Sequence, residues 1–276
     1  MAAQVMSASH THSFPRKRMR ASFTTTPYLL TLLPPILLGL VLFGIWFLST
    51  AGGMVPDYQL PAPAEVWTAF WDGLTSGLFW SMGWVTIQES IGGFLLAILI
   101  ALPLGYSLAR WRFFAAAIHP YLAAGQAIPA IVIAPFLVIW IGHGIVPIVV
   151  LCFLVVLFPM VITTSLGFST IEASLLEAAR VEGASFWPML TRIEFPLALP
   201  AIMAVVRTGL TLSITGALVG EFVVTSDQGL GTLVQIARSQ FNTSLMFATV
   251  IVMALLAAAF YGISAGLTRL SSIIYS

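Results

Sequence analysis

Long apolar stretches constrain this chain more than any other feature of its sequence. There are six of them, each about twenty residues long, and polar segments separate them. A helix needs about 20 apolar residues to cross about 30 Å of hydrocarbon. The pattern therefore predicts an all-α polytopic membrane protein with six transmembrane helices. The predicted spans lie at about 28–48, 84–108, 122–141, 145–166, 199–220 and 245–267.

The composition agrees with a membrane protein and excludes several kinds of site. Of the 276 residues, 59% are hydrophobic and 8% are charged, whereas soluble domains are about 45–50% apolar and about 25% charged. The single cysteine, Cys152, lies in an apolar run, so we expect it to be a small packing residue. The only lysine, Lys17, does not follow a glycine, so the chain has no phosphate-binding loop for ATP.

The hydropathy pattern divides the chain into segments. Residues 1–26 are predicted to be a disordered cytoplasmic tail, and residues 27–50 the first transmembrane helix. Residues 51–83 are predicted to be periplasmic, with an interfacial or ordinary amphipathic helix around Trp67 and Trp71. Residues 84–269 would form a five-helix core with a cytoplasmic loop at 167–197, followed by a short tail at 270–276. Pro129 and Pro135 predict that the third span is kinked or broken.

Basic residues predict the orientation of the chain. Cytoplasmic segments of membrane proteins are enriched in Lys and Arg. With both termini in the cytoplasm, only Arg238 falls on the outer side and Arg207 lies within the inner half of the fifth span. The remaining basic residues are all cytoplasmic in this orientation: Arg16, Lys17, Arg18, Arg20, Arg110, Arg112, Arg180, Arg192 and Arg269.

The cytoplasmic loop between the fourth and fifth spans has the pattern of two short helices. Ser169 and Thr170 are predicted to cap a helix that begins near Ile171. Gly183 would end that helix in a left-handed conformation. A second helix would then begin after Ser185, and Pro196 would stop it.

The same loop carries a long motif that resembles a known family. Its spacing is Glu177-Ala178-Ala179, three residues, Gly183, nine residues, Ile193, one residue, Phe195-Pro196. This pattern resembles the EAA loop of binding-protein-dependent ABC transporter permeases, with Phe195 where a leucine is usual. The resemblance extends over roughly residues 60–270. Further matching segments are Pro61–Pro63, Gly92–Phe94, Ile128–Ala130, Ala134-Pro135, Trp140–Gly144 and Gly229–Gly231.

The resemblance implies a type I ABC importer permease in the bacterial cytoplasmic (inner) membrane. In such a protein a second copy of the permease completes the pathway, and the loop helix docks on a separate P-loop ATPase dimer, which binds ATP and Mg. The chain itself would be non-catalytic and bind no cofactor. A periplasmic or lipid-anchored binding protein would deliver the solute. The residues implied in ATPase coupling are Glu177, Ala178, Ala179, Gly183, Ile193 and Pro196.

The sequence resembles one branch of this family in particular. That branch imports small anions such as sulfonate, taurine, nitrate or bicarbonate, or thiamine (pyrimidine-type) or flavin precursors. The sequence does not choose among these substrates. Polar residues within the spans are the candidates for lining the translocation pathway. They are Gln126, Arg207, Thr211, Ser213, Thr215 and Glu221.

Two other functional classes remain as alternatives at this stage. An ion-coupled secondary transporter would need ionisable groups within the membrane, for which Glu89 and Arg207 are candidates. Glu89 lies near the start of the second span, which favours an interfacial structural role. An intramembrane enzyme would need a cluster of catalytic or metal-binding groups, and His10, His12, His119 and His143 form no such motif.

Overall fold

The computed structural model describes residues 28–224, 226 and 228–274, and side chains within 33–266 apart from Thr225 and Asp227. The predicted tail at 1–26 lies outside these residues. The regular structure of the described residues is helical throughout. The helices are α1 (Tyr28–Ala51), α2 (Pro63–Thr75), α3 (Leu78–Arg110), α4 (Arg112–Ala127), α5 (Ala130–Ile141), α6 (Ile145–Ser169), α7 (Ala173–Val181), α8 (Phe186–Met189), α9 (Phe195–Val223), α10 (Leu230–Ser239) and α11 (Thr243–Ile274).

The chain forms two compact units, one ending at Trp46 and the other comprising Phe47–Ser276. Most of α1 belongs to the first unit, and its apolar length agrees with the predicted span at 27–50. In the second unit α3, α6 and α9 pack against one another, and α11 packs on α9. This unit contains all the sites described below.

The described residues contain five helices long and apolar enough to cross a membrane, or six spans if the bent pair α4–α5 counts as one. The prediction of six spans holds on the second count, and several helices extend beyond the predicted spans. Helix α3 begins at Leu78, so the predicted periplasmic segment at 51–83 ends earlier. Helix α11 continues to Ile274, so the predicted tail at 270–276 is helical over its first five residues.

The third predicted span is broken, as its two prolines indicated. Helices α4 and α5 meet at 97° across a two-residue gap. Ile128 and Pro129 in this gap both have extended backbone conformations. A proline disfavours the helical conformation of the residue before it and has no N–H to donate, so Pro129 favours a break at this point.

The segment at 222–244, which the sequence predicted to be a polar loop, contains helix α10. Its apolar face is buried, including Leu230, Leu233, Val234 and Ala237. It packs against α3, α9 and α11. The ten-residue helix is too short to cross a membrane, which is why a hydropathy pattern at the length of a span misses it.

Glycines on α3 and α9 allow both helices to approach α6 closely. A Cβ atom on Gly93 would come within 2.8 Å of the Val149 carbonyl oxygen, and one on Gly216 within 3.1 Å of the Cys152 Cα atom. Cys152 is fully buried between these two glycines, as expected for a packing residue. Small residues at such positions allow the backbones of membrane helices to approach.

We expect Gly93→Ala to destabilise the protein, because its new methyl group would overlap α6. Overpacking typically costs about 1–3 kcal/mol. The matched control is Gly92→Ala, whose Cβ atom would lie 3.4 Å from the Val149 methyl groups, an ordinary contact. Thermal unfolding in detergent measures both, and equal melting temperatures for the two variants would contradict the packing argument.

Candidate coupling site and translocation surface

Gly183 ends α7 in the left-handed conformation that the sequence predicts. Its φ angle is +87°. The Gly183 N–H donates to the Arg180 carbonyl oxygen at 3.0 Å, and the Ala184 N–H donates to the Ala179 carbonyl oxygen at 3.0 Å. These two bonds form a Schellman motif, which satisfies the last carbonyls of a helix. The motif fixes the direction in which the chain leaves α7.

The start of α7 differs from the prediction. Ser169 is the last residue of α6, and Thr170 follows as its C-terminal cap. Helix α7 begins at Ala173 after Glu172, whose side chain makes no capping bond to the backbone. The hydroxyl groups of Ser169 and Thr170 donate to carbonyls of α6, at 3.0 Å and 2.9 Å. These two residues therefore end one helix and do not cap the next.

Helix α7 has one face on the protein and one face free. Leu176 and Ala179 are buried against Met189, with Ile193 packed beside them. Glu177 and Ala178 are exposed, and Val181 is 89% exposed. The two alanines of the motif thus lie on different faces of α7: Ala179 packs against the protein, and Ala178 is on the exposed face.

The second loop helix does not end at Pro196. Helix α8 passes through a π-helical turn at Leu190–Glu194 directly into α9, so Phe186–Val223 is one helical run. Pro196 lies inside this run, two residues after the π-helical turn, where the register of the helical hydrogen bonds changes and the missing N–H is accommodated. The prediction that this proline stops the helix was wrong for this reason.

A buried ion pair attaches this run to the end of α3. Arg110 Nη2 lies 2.7 Å from Glu194 Oε1, and the Glu194 side chain is 3% exposed. Tyr106, one turn earlier on α3, lies beside Arg110 with its ring 5.7 Å from the guanidinium carbon. The ion pair joins α3 to the π-helical turn at Leu190–Glu194, which follows α7 and α8.

The predicted pathway residues divide into exposed and buried groups. Gln126 and Thr215 are exposed, and Thr211 is half-buried with its hydroxyl group bonded to the Arg207 carbonyl oxygen. Ser213 and Glu221 are buried, at 0% and 1% exposure. These two were nominated for the pathway, but they face the interior because α9 turns that side toward α3 and α6.

Arg207 is held by α11. Its guanidinium group lies over the Tyr261 ring, 4.5 Å from the centroid, and donates to the Tyr261 hydroxyl group. Arg207 and Glu221 are 14 residues apart in the same helix, which separates them by about 21 Å at 1.5 Å per residue. The two side chains are therefore too far apart to pair with each other.

The break between α4 and α5 opens onto an uncharged cleft of about 420 Å³. Gln126 supplies a side-chain amide, and Phe158 of α6 supplies an aromatic ring. A smaller cavity beside it shares Pro159 and Leu212 with the cleft and is lined in addition by two hydroxyl-bearing residues, Thr163 and Thr208. These two threonines were not predicted to line a cavity, because nothing in the local sequence shows which side of α6 or α9 they occupy.

The opposite side of α9 carries a buried polar cluster at the start of α10. The Thr86 hydroxyl group donates to Glu221 Oε1 at 2.6 Å and accepts the Leu230 N–H at 3.0 Å. The Gly231 N–H donates to Glu221 Oε2. A Cβ atom on Gly231 would lie 2.9 Å from the Glu221 Cβ atom. The glycine is required because the glutamate caps α10 from close by.

Glu89 belongs to the same cluster. It is fully buried, so its side chain faces the interior of the protein. Its carboxyl group interacts with that of Glu221. The residue is one turn from Thr86 on the same face of α3, and this face is covered by α9 and α10.

These features define a helical membrane protein with a rigid exposed helix after its fourth span. The family described as binding-protein-dependent transport system inner membrane component matches residues 93–271. A riboflavin transport system permease protein of Chloroflexus aurantiacus is 41% identical over 86% of this chain and 88% of its own length. A putative aliphatic sulfonates transport permease protein of Bacillus subtilis is 27% identical over 79% of both chains.

The fold also matches a solved structure. A chain of the MetNI methionine ABC transporter, in an inward-facing conformation, aligns with a TM-score of 0.61 at 18% identity. The match covers 70% of this chain and 95% of that chain. The present chain belongs to the family of binding-protein-dependent ABC transporter permeases. It is a non-catalytic, multi-pass subunit of the inner membrane.

We expect Glu194→Gln to lower the melting temperature, because Arg110 would lose a charged partner. Removing one charge of a fully buried ion pair costs about 3–5 kcal/mol, and we expect less here because Arg110 is 21% exposed. A loss of about 1 kcal/mol shifts the melting temperature of a protein of this size by about 2–4 °C. Glu182→Gln is the matched control, since Glu182 is an exposed acid of the same loop. The ion pair has no structural importance if the two variants melt together.

Proposed function

We propose that this chain is one of two identical permeases in an ATP-driven importer with both termini in the cytoplasm, and that α7 docks on the partner ATPase. The observation that carries this proposal is the attachment of α7. Its inner face is packed on Met189 and Ile193, and its exit is fixed at Gly183. A helix held in this way transmits a displacement without bending.

The charge distribution supports the proposed orientation. Arg110 and Glu194 join the end of α3 to the segment after α7, and Arg180 and Arg192 lie on this loop. At the other end of the unit, the hydroxyl group of Thr243, the first residue of α11, donates to the Asp57 carbonyl oxygen. The basic end carries α7, as expected for the cytoplasmic side.

The docking surface in this proposal consists of Glu177 and Ala178, with Val181 beside them. The inward residues Ala179 and Ile193 hold the helix in place, while Gly183 and Pro196 set the path of the chain. The six residues of the motif thus have two roles, contact and support.

Ala178→Trp tests the contact role. The new side chain would project from the exposed face, so we expect capture of the partner ATPase to fall by about tenfold or more, the effect of about 1.4 kcal/mol. Gln240→Trp, at an exposed site beyond α10, is the control. Co-purification from native membranes measures both. The proposal fails if Ala178→Trp retains the ATPase as well as Gln240→Trp does.

Gly183→Val tests the support role. A left-handed conformation costs an L-residue about 1–2 kcal/mol, and asparagine tolerates it better than a β-branched residue. We expect Gly183→Val to abolish ATP-driven uptake while the protein still folds and inserts, and Gly183→Asn to retain most uptake. A Cβ atom at this site would meet no neighbouring atom, so only the backbone conformation is tested. Normal uptake by Gly183→Val would contradict the proposed support role of Gly183.

We further propose that the solute is an uncharged heteroaromatic compound of the riboflavin class, which passes the cleft at the α4–α5 break. Two observations support this substrate: the 41% identical relative is named as a riboflavin permease, and the described lining residues of the cleft are uncharged. An anion in an apolar cleft needs a charged partner or several donors. The ring of Phe158 and the amide of Gln126 suit a polar aromatic solute.

A small anion is the second candidate. The N-terminus of α5 faces the same cleft, and backbone N–H groups at a helix start bind anions. The Bacillus subtilis relative, which is named for sulfonates, supports this possibility. The same N–H groups would also bind ring carbonyl oxygens, so a measurement must separate the two candidates.

Uptake by the complete reconstituted transporter separates them. We expect labelled riboflavin to accumulate with ATP, and excess taurine not to compete. Gln126→Leu should lower uptake by about tenfold through loss of one hydrogen bond and its desolvation, whereas Gln240→Leu should not. Uptake of taurine with no uptake of riboflavin would establish the anion candidate instead.

A further inference from the structure

The buried polar cluster of α3, α9 and α10 contains two acidic residues. In the part of the chain that the structure describes, no basic side chain pairs with them. Glu89 and Glu221 are 0% and 1% exposed. Among the residues that the structure describes, no third Asp, Glu, His or Cys joins them in a group able to hold a metal ion. Two adjacent carboxylates in a membrane interior would repel each other strongly. Some other species must therefore neutralise one of the charges.

The hydrogen bonds of Glu221 identify it as the ionised member. Its two oxygens accept the Thr86 hydroxyl group and the Gly231 N–H. The Thr232 N–H is a further donor to this carboxylate. Donors from the first turn of α10 stabilise a negative charge, because the N-terminus of a helix carries a partial positive charge.

Glu89 has the opposite environment. Neither of its oxygens is reached by an N–H or O–H donor, although both are buried. The Glu221 carboxylate, which interacts with Glu89, is itself an acceptor. Two acceptors pair only if a proton lies between them, and an acid O–H donating to a carboxylate is among the strongest hydrogen bonds in proteins.

We propose that Glu89 is a neutral carboxylic acid that donates its proton to Glu221, and that this proton completes the attachment of α10 to α3. The Glu221 carboxylate of α9 then accepts hydrogen bonds from Glu89 and Thr86 of α3 and from the first N–H groups of α10. The cluster carries one net charge where the two acids would otherwise carry two. Glu89 is thus a positioning residue for α10.

This assignment predicts an asymmetry between two conservative variants. Glu89→Gln keeps a donor toward Glu221, so its melting temperature should stay within about 2 °C of the parent, a change below 1 kcal/mol in a protein of this size. Glu221→Gln turns one acceptor into a donor that faces other donors, so its melting temperature should fall by about 5 °C or more. The reverse order would overturn the assignment.

Infrared spectroscopy of the purified protein in detergent tests the proton directly. The parent should show the carbonyl stretch of a protonated carboxylic acid at neutral pH, and this band should be missing from the otherwise stable Glu89→Gln variant. The same measurement on Glu65→Gln, which changes an exposed acid of α2, should retain the band.

A bound monovalent cation is the competing explanation for the pair. In that case the acid band would be absent from the parent, and its melting temperature would rise with sodium or potassium but not with a bulky organic cation at equal ionic strength. That result would overturn the proposal. Both measurements are made on the permease without ATP or solute, so failure here leaves the proposed transport function untouched.

Discussion

The close approach of α3, α6 and α9 is the constraint on which the rest of the second unit depends. At Gly93 the neighbouring helix leaves no room for a side chain larger than hydrogen, and at Gly216 a Cβ atom would make a tight contact of 3.1 Å with the Cys152 Cα atom. Lipid is as apolar as leucine, so hydrophobic burial does little to bring membrane helices together, and fit between surfaces matters more. Because α6 is enclosed on both sides in this way, α9 has a defined rotation about its axis. That rotation sends Ser213 and Glu221 inward and leaves Thr208 and Thr215 outward.

The sequence predicted the parts of the fold that depend on a single segment. Long apolar runs identified the spans, Pro129 the break, and Gly183 the turn after α7, because each acts through local backbone geometry or length. The sequence was insufficient where packing against a residue far away in the chain decides the structure. The place of Glu89 in its span favoured an interfacial role and gave no sign of its neighbour Glu221, which is far away in the sequence. Thr163 and Thr208 passed unnoticed since the face that a residue occupies is set by packing.

The EAA motif illustrates the same division within a few residues. Its spacing was sufficient to indicate the family, to which the matching family model also assigns the chain. Which alanine is exposed depends on Met189 and Ile193, which follow the turn and pack back on α7. The continuation of α8 through a π-helical turn was also beyond local reasoning. Pro196 is compatible with both a helix end and a helix start, and only the surrounding chain decides between them.

The unbroken run Phe186–Val223 has a mechanical consequence. Helix α9 alone has 29 residues and is about 43 Å long at 1.5 Å per residue. The start of the run follows the turn at Gly183, and α9 passes the cleft at Leu212. A rotation of about 5° at its base would displace the far end by about 4 Å over this length. The Arg110–Glu194 ion pair lies near that base, where a fulcrum would lie, so α3 would share the load while the far end moves.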